Sequence, residues 1–545
     1  MKGSLIAPLF FLALVFACLG SRLGAVTPWA LAALALAATG WAGSTGRTPA
    51  SWLSLPVIGF CLLVPINTMF LSPAFTPGGL YHPLLLVAAF LVSRSLADHA
   101  ERAVALAALG MGIVLALWGL VQIGPIGMAR ARALFETPAT YAAVLNLLLV
   151  PVLAAMFIGK RSAPLLVAAL ALVAAMFAAD SRGGLLALVA GLGCAAILAM
   201  RAQVLRPRSF GLVLALLAAG WVLGAVLRAM PSPKADEALT AVERTESSLS
   251  RLELYALSWN AWREQPLTGT GYLTFRYKLE QGRAQVPSYG ESNETWFVHN
   301  DYLQSLQELG PVGLLALLGL TALPPVLAYR RLPSLAKDER AAVLMSASAL
   351  AAMAVHACVD FPFFIPVCLL LYGALLGMLE RRLGGALPAA LPAWSDKAWY
   401  RPARTAALAI AVILLLRPVL AEAAAEWGLR RTAFGEEQSA AFWLGTARRL
   451  DPKDWRYHWY AGQFWDAQAA ASGRREAARL AAAAYTAGFA ANPLEVRNLL
   501  GMISVNRRHR ALLDSPADDK TLRDWLAQAA ALAPVNPAVR RELAR

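Results

Sequence analysis

A histidine and a small set of arginines are the residues most able to do chemistry here. His299 stands in His299-Asn300-Asp301-Tyr302, with Glu308 six residues beyond Tyr302, a few residues before a long apolar run. Imidazole can be neutral near pH 7, and a neutral ring accepts a proton, so His299 is a candidate general base. The arginines are Arg182 in Asp180-Ser181-Arg182-Gly183-Gly184, Arg251 after Ser250, and Arg130 and Arg132 in Arg-Ala-Arg-Ala-Leu-Phe. Guanidinium is permanently charged and makes forked bonds to oxyanions, so phosphate binding is the chemistry they suit. Each charge-assisted bond contributes about 1.5–3 kcal/mol. The same arginines also suit Asp180, Glu136 or lipid headgroups as partners. His356 and Asp360 add a second polar cluster beside an apolar run, where an ionisable residue is a functional candidate by default. Asp360 equally suits a helix cap or a partner for an arginine. Residues 230–310 hold no Asp-x-Asp pair or metal-ligand cluster, and no phosphate-cradling glycine loop stands in a strand–helix context.

The elements that must position these groups are set by composition. Apolar residues make up 58% of the 545 and charged residues only 15%. A soluble domain carries roughly 25% charge, so this chain cannot hydrate a surface of its own size. The composition excludes a cytosolic enzyme, a disordered chain and a disulfide scaffold. The five cysteines lie in apolar segments without ligand spacing and read as small hydrophobes.

A bilayer-crossing helix needs about 17–25 apolar residues. Thirteen candidates lie near 5–20, 26–42, 52–72, 79–96, 103–123, 139–158, 164–179, 183–200, 209–228, 311–329, 341–358, 363–379 and 403–420. With the N-terminus inside, the short inner connections hold eighteen Lys and Arg and the outer ones four: Arg22, Arg130, Arg132 and Arg182. Positive charge collects inside, which fixes this orientation as the expectation. The net charge of +15 is thus topogenic rather than a nucleic-acid footprint. Bulky Phe16 near a would-be cleavage site before Cys18 reads the first run as an uncleaved span rather than a lipoprotein signal.

Four regions follow: membrane helices over 1–229, an outer loop over 230–310 carrying the candidate site, further membrane helices over 311–420, and an outer polar tail over 421–545. Within the loop, Leu252, Tyr255, Trp259 and Trp262 keep helical spacing over 251–265, which suits a helix on the membrane surface or on the bundle. Pro266, Gly269 and Gly271 end it in a turn. Arg130, Arg132 and Arg182 sit against the topogenic bias, so a local reason must keep them there. The tail is Ala-rich and helix-patterned, with Pro452, Pro493 and Pro534 at intervals of 41 and 41 residues. It is similar to tetratricopeptide-type helical hairpins, although those repeat at about 34 residues; an irregular helical bundle is the other reading. Trp443, Trp455, Trp459, Tyr460 and Trp465 read as packing aromatics.

With these motifs in hand, the chain resembles the O-antigen ligase and polymerase superfamily of bacterial envelope enzymes. Arg-Ala-Leu-Phe-x-x-Pro at 132–138 and Ser181-Arg182-Gly183-Gly184 carry the match. Ser250-Arg251 with Trp259 and Pro-Leu-Thr-Gly-x-Gly at 266–271 extend it, as do His299-Asn300-x-Tyr302-Leu303 and Glu308-Leu309-Gly310-x-x-Gly313. His356-x-x-x-Asp360-Phe361-Pro362 is similar to members that carry a helical-repeat tail. The first four spans and the tail itself add little.

The resemblance implies an all-α polytopic membrane bundle, similar to GT-C-type glycosyltransferases, in the bacterial inner membrane. It implies transfer of a glycan from an undecaprenyl-diphosphate carrier to an acceptor hydroxyl on the periplasmic face, without nucleotide sugar or metal. His299 then takes the acceptor proton. Arg182 and Arg251, with Arg130 or Arg132, neutralise the diphosphate. Asn300, Tyr302, Glu308, Asp360 and His356 support the base or hold the sugar. Three acceptors share these motifs: lipid A–core in an O-antigen ligase, a growing glycan in an O-antigen or exopolysaccharide polymerase, and a protein such as pilin. Ligase is the leading reading, and the outer tail suggests an envelope protein partner. A lipid-linked-sugar transporter is the rival of another class. Transporters place charges or broken helices at mid-membrane, whereas the centres of these runs are almost free of charge.

Overall fold

Each apolar run forms helix, because backbone groups away from water must bond within their own segment. The structure, a computed structural model, describes residues 2–23, 26–43, 52–229, 241–289, 295–383 and 400–545. Nine helices come first: α1 Ile6–Leu23, α2 Val26–Gly43, α3 Ser54–Ile66, α4 Gly78–Ser95, α5 Asp98–Ile123, α6 Pro138–Phe157, α7 Ala163–Ala179, α8 Arg182–Arg201 and α9 Pro207–Arg228. Next come α10 Ala241–Glu264, α11 Phe275–Gln281 and α12 Asp301–Arg331, then α13 Lys337–His356, α14 Pro366–Leu383 and α15 Tyr400–Ala433. The tail contains α16 Glu437–Leu450, α17 Trp455–Ser472, α18 Arg475–Ala491, α19 Val496–Arg508, α20 Asp519–Leu532 and α21 Pro537–Leu543. No strand occurs among the described residues.

Among the described residues, six helical segments are long and apolar enough to cross a membrane: Ser54–Leu71, Asp98–Ile123, Pro138–Phe157, Arg182–Arg201, Arg208–Arg228 and Asp301–Ser334. Ile6–Ser21, Val26–Gly40 and Ala163–Ala179 are apolar but shorter. Fewer helices therefore have crossing length than the thirteen expected. Charge shortens some of the others: α13 opens on Lys337-Asp338-Glu339-Arg340, and α14 closes on Glu380-Arg381-Arg382.

The centre of the bundle is α6. It is apolar all round, and 94% of it is buried, as a helix without a polar face requires. Two small residues one turn apart bring α14 against α4. A Cβ on Gly373 would stand 2.4 Å from the Leu86 carbonyl oxygen, and one on Gly377 would stand 2.3 Å from that of Phe90. Such close backbone approach is how apolar helices gain packing where no hydrophobic effect separates them from lipid.

The last apolar helix and the tail are one piece, since α15 runs unbroken across 420–421. On α15, Glu422 accepts the amides of Val26 (3.1 Å) and Thr27 (3.0 Å), capping α2 from another helix. In the tail, each proline turn ends in a capping side chain. Asp454, Glu495 and Asn536 accept the amides of Arg456, Arg497 and Ala538 at 3.0, 3.3 and 2.9 Å. Trp455 is buried, and Trp443, Trp459, Tyr460 and Trp465 pack against the tail's cores, so these aromatics are structural.

Two of the proline turns meet the rest of the chain. Lys453 Nζ donates to the Met69 carbonyl (3.1 Å), and Asn492 Nδ2 donates to Tyr277 Oη on α11 (2.7 Å).

Candidate active site

Three consecutive residues at the start of α12 build the site. Asn300 caps the helix, its Oδ1 accepting the Leu303 amide at 3.0 Å. The Asp301 amide donates to the Ala357 carbonyl (2.8 Å), and Asp301 Oδ2 accepts the Phe363 amide (2.9 Å). Tyr302 Oη donates to the Ala354 carbonyl (2.9 Å). Asp301 thereby holds the α13–α14 turn, residues 357–365, against α12, and Tyr302 holds the last turn of α13 beside it.

This packing brings His299 and Asp360 together across 61 residues of sequence, Nδ1 to Oδ1 at 3.0 Å. His299 takes a left-handed backbone, φ +61°, which costs a non-glycine residue about 1–3 kcal/mol and persists only where the surroundings enforce it. Tyr255 Oη, from α10, donates to the His299 carbonyl at 2.9 Å, and the Phe361 ring meets the imidazole edge-on at 5.0 Å. The His299 side chain keeps 19% of its surface exposed, while Asp360 keeps 4%.

Burial works against ionising Asp360. The hydrogen bond from His299, the approach of His356 and the charges of both rings outweigh it and hold the carboxyl below the ordinary aspartate range. An ionised carboxylate accepts a hydrogen bond from Nδ1–H and leaves Nε2 as the neutral ring's acceptor.

His356, the last residue of α13, is fully buried, with Nε2 3.6 Å from Asp360 Oδ2. That distance is too long for a hydrogen bond. The start of α8 abuts the same place: a Cβ on Gly183 would lie 2.9 Å from Val359 Cγ2 and 3.9 Å from His356 Nε2. The exposed Arg182 is therefore presented beside the turn that holds Asp360. Burial raises the Tyr255 phenol, and the charge of Arg251, one turn earlier on α10, opposes that rise.

Arg130 and Arg132 are placed differently. Arg130 Nε and Nη2 donate to the carbonyls of Ala179 (3.3 Å) and Asp180 (2.8 Å), bracing the left-handed turn from which α8 starts. Exposed Arg132 directs Nη1 to the Glu136 carbonyl at 3.5 Å, and its amide donates to Gln122 Oε1 at 3.0 Å. No contact of Arg132 with His299 or Asp360 is found among the described residues.

Glu308 is a post of the scaffold. It is fully buried, and its carboxylate accepts the amides of Leu273 (2.9 Å) and Phe275 (3.1 Å) and Nε2 of Gln304 (3.0 Å). A group so enclosed does not meet a sugar directly. Gln304 in turn accepts the amide of Val298, next to His299, at 3.0 Å.

The glycines of 266–271 lie backbone to backbone on α12. The Thr270 and Gly271 amides donate to the carbonyls of Gln307 (2.8 Å) and Glu308 (3.0 Å). Gly310 breaks α12 at φ +71°, and a Cβ there would stand 2.3 Å from the Leu267 carbonyl oxygen. Only glycine satisfies both conditions.

On α10 the buried face is Leu254, Leu257 and Ala261, packed with Phe275, Leu279, Val286 and Val298. Of the stripe read from the sequence, Leu252 and Trp259 face outward at 62% and 47% exposure, whereas Tyr255 and Trp262 are half-buried. Sequence reasoning missed several residues of this frame. Asp301 and Gln304 were passed over, although they share one helical face with Glu308 at i, i+3 and i+7, a polar stripe on a helix about to turn apolar, which was a usable signal. The third and fourth apolar segments also take part: Asn67 Oδ1 accepts the Tyr272 amide (2.8 Å), and His82 Nδ1 pairs with Tyr272 Oη (2.9 Å). A histidine inside an apolar helix was the signal there.

Residues 166–318 match the family model described as O-antigen ligase. The match spans Arg182, Arg251, His299, Asn300, Tyr302 and Glu308, and ends before His356 and Asp360. No curated protein matches the chain. The matched segment holds the base candidate, two of the arginines and the glycine turn beside them, and this part of the chain is similar to the O-antigen ligase family.

Proposed function

We propose that this protein is an O-antigen ligase of the bacterial inner membrane, moving a glycan from undecaprenyl diphosphate to a hydroxyl of lipid A–core on the periplasmic face. The observation that carries the reading is the His299 Nδ1–Asp360 Oδ1 bond of 3.0 Å on a part-exposed imidazole. Asp360 fixes the tautomer and stabilises the imidazolium that forms, and His299 Nε2 takes the proton of the acceptor hydroxyl. The acceptor oxygen bonds to the anomeric carbon as its bond to the diphosphate oxygen breaks, which inverts that centre. Undecaprenyl diphosphate leaves with the electron pair. Arg182 and Arg251 neutralise its developing charge, the service a metal ion supplies in other phosphate chemistry. Arg130 serves by holding the turn that presents Arg182, and Arg132 lies at the edge of the same loop. Neither metal nor cofactor is needed.

The test is transfer by the purified full chain, given lipid-linked glycan and lipid A–core. Attachment to lipid A–core that is lost in His299→Ala, with insertion and expression unchanged, supports the reading. Near-normal transfer by His299→Ala removes the histidine from its role. Glycan elongation without attachment makes the enzyme a polymerase, and attachment to pilin makes it a protein glycosyltransferase. Movement of the lipid-linked glycan across the bilayer without any transfer makes it a transporter.

A further inference from the structure

The end of α13 remote from His299 borders a large cavity. This space of about 1160 Å³ opens among α5, α6, α13 and α14 and the α8–α9 connection. It exceeds the usual 300–1,000 Å³ of a small-ligand pocket. Nineteen residues of α13 separate its Lys337 end from His356, about 28 Å at 1.5 Å per residue.

The cavity has two zones. Its interior is hydrocarbon: Leu147, Leu148, Val152, Leu371, Leu375 and Met378. Its rim carries six basic side chains, Arg102, Lys160, Arg206, Lys337, Arg340 and Arg382, against three acidic ones, Asp98, Glu101 and Asp338. From Arg382 to Leu371 is eleven residues of α14, about 16 Å deep, or roughly one leaflet of a 30 Å hydrocarbon core.

The rim charges divide by what they already hold. Glu101 pairs with Arg381 (2.6 Å) and Arg382 (2.7 Å), and Asp98 with the same two arginines. Arg340 donates to the carbonyls of Leu335, Ala202 and Pro333. Those groups serve the fold. For Arg102, Lys160, Arg206 and Lys337 no carboxylate lies within ion-pair distance among the described residues, and all four are exposed. Arg206 is seated for the purpose: its amide donates to the Phe157 carbonyl (3.1 Å), and its guanidinium fills the space over Gly159, where a Cβ would stand 2.6 Å from Nη1.

We propose that this cavity binds an anionic amphiphile, its phosphate head held by Arg102, Lys160, Arg206 and Lys337 and its hydrocarbon chain lying along α6 and α14. Topogenic charge alone explains a basic rim, but it does not explain a leaflet-deep apolar cavity beneath that rim. Basic pockets between membrane helices hold phosphorylated lipid heads through the same pairing of charge and chain. Two sources have this chemistry, a bilayer phospholipid such as phosphatidylglycerol or cardiolipin, and a polyprenyl phosphate.

The experiment is native mass spectrometry of the full chain with phosphatidylglycerol, cardiolipin, undecaprenyl phosphate or phosphatidylethanolamine added singly. The anionic lipids are expected to stay bound and phosphatidylethanolamine to leave. Retention of phosphatidylglycerol and cardiolipin assigns the site to the bilayer; retention of undecaprenyl phosphate alone assigns it to the carrier. The triple variant Arg102→Gln, Lys160→Gln, Arg206→Gln should bind roughly 100-fold more weakly. Ala105→Trp, which keeps every charge and fills the mouth, should lose binding as well. Equal retention of phosphatidylethanolamine overturns the proposal. So does full binding by Ala105→Trp beside loss in the triple variant, which would reduce the effect to surface attraction.

Discussion

Asp301 and Phe363 are joined by a 2.9 Å bond from the Phe363 amide to the Asp301 carboxylate, across 62 residues and entirely out of solvent. That bond fixes where the α13–α14 turn sits, and so where Asp360 meets His299. Neither residue touches the imidazole, yet the pairing depends on them. Asp301→Ala leaves the buried Phe363 amide without a partner at a cost of about 1–3 kcal/mol and frees the turn. Glycan transfer should fall at least tenfold while expression persists. Asp301→Asn, which keeps an acceptor, should recover most of the rate; equal loss in both variants would assign the effect to charge rather than to the bond.

Asp360→Asn tests the tautomer argument. An amide can donate to Nδ1, which would leave the proton on Nε2 and remove the acceptor. Turnover should drop by roughly 10²–10⁴-fold with little change in acceptor affinity. Rates measured against acceptor concentration check this, and a raised half-saturation at unchanged maximal rate would make Asp360 a binding residue instead.

Arg182 and Arg130 should separate by readout. Arg130→Gln removes two bonds to the 179–180 turn and should cost about 1–3 kcal/mol of stability, visible as a lowered thermal midpoint. Arg182 is exposed, so Arg182→Lys should leave that midpoint nearly unchanged. By losing the forked geometry it should still slow turnover tenfold or more. Wild-type turnover in Arg182→Lys would end the diphosphate assignment at that residue.

The tail carries a pH dependence. Asp451 is pushed up to about 7, first by burial and then by the charge of Asp454. A carboxyl raised above its unfolded value of about 3.9 favours the folded state most when protonated. Its contribution is complete below that unfolded value and is lost as pH rises through about 7. Protection factors of α16 and α17 in the full chain, exchange taken relative to the intrinsic base-catalysed rate at each pH, should therefore be higher at pH 5 than at pH 8. Asp451→Asn should flatten the difference, and an unchanged profile in that variant would clear Asp451 of the effect.

The positions of the helices were legible in the sequence because apolar runs of that length have few alternatives to helix. His299, Asp360 and the arginines were legible as exceptions: a histidine before an apolar run, arginines on the sparsely basic side. What pairs with what was not. Three roles were open for Asp360, and only the hold of Asp301 on the α13–α14 turn and of Tyr302 on the end of α13 selects His299 as its partner. Glu308 was open between supporting the base and holding the sugar, and the fold turns it inward to hold the 273–275 amides. No spacing rule distinguishes a carboxylate facing substrate from one facing a neighbouring loop. Arg130 was misleading for the same reason, since backbone carbonyls leave no mark in sequence.

Because α15 passes unbroken from the apolar stretch into the tail, it acts as a crankshaft whose phase is set by residue count. One residue inserted near 430 would swing the six tail helices by about 100° and raise them about 1.5 Å. That pulls Lys453 off Met69 and Asn492 off Tyr277 together. Seven inserted residues would nearly restore the bearing, yet leave the tail about 10 Å too high to touch α11. Length along this rod is therefore as much a part of the design as the identity of any residue on it.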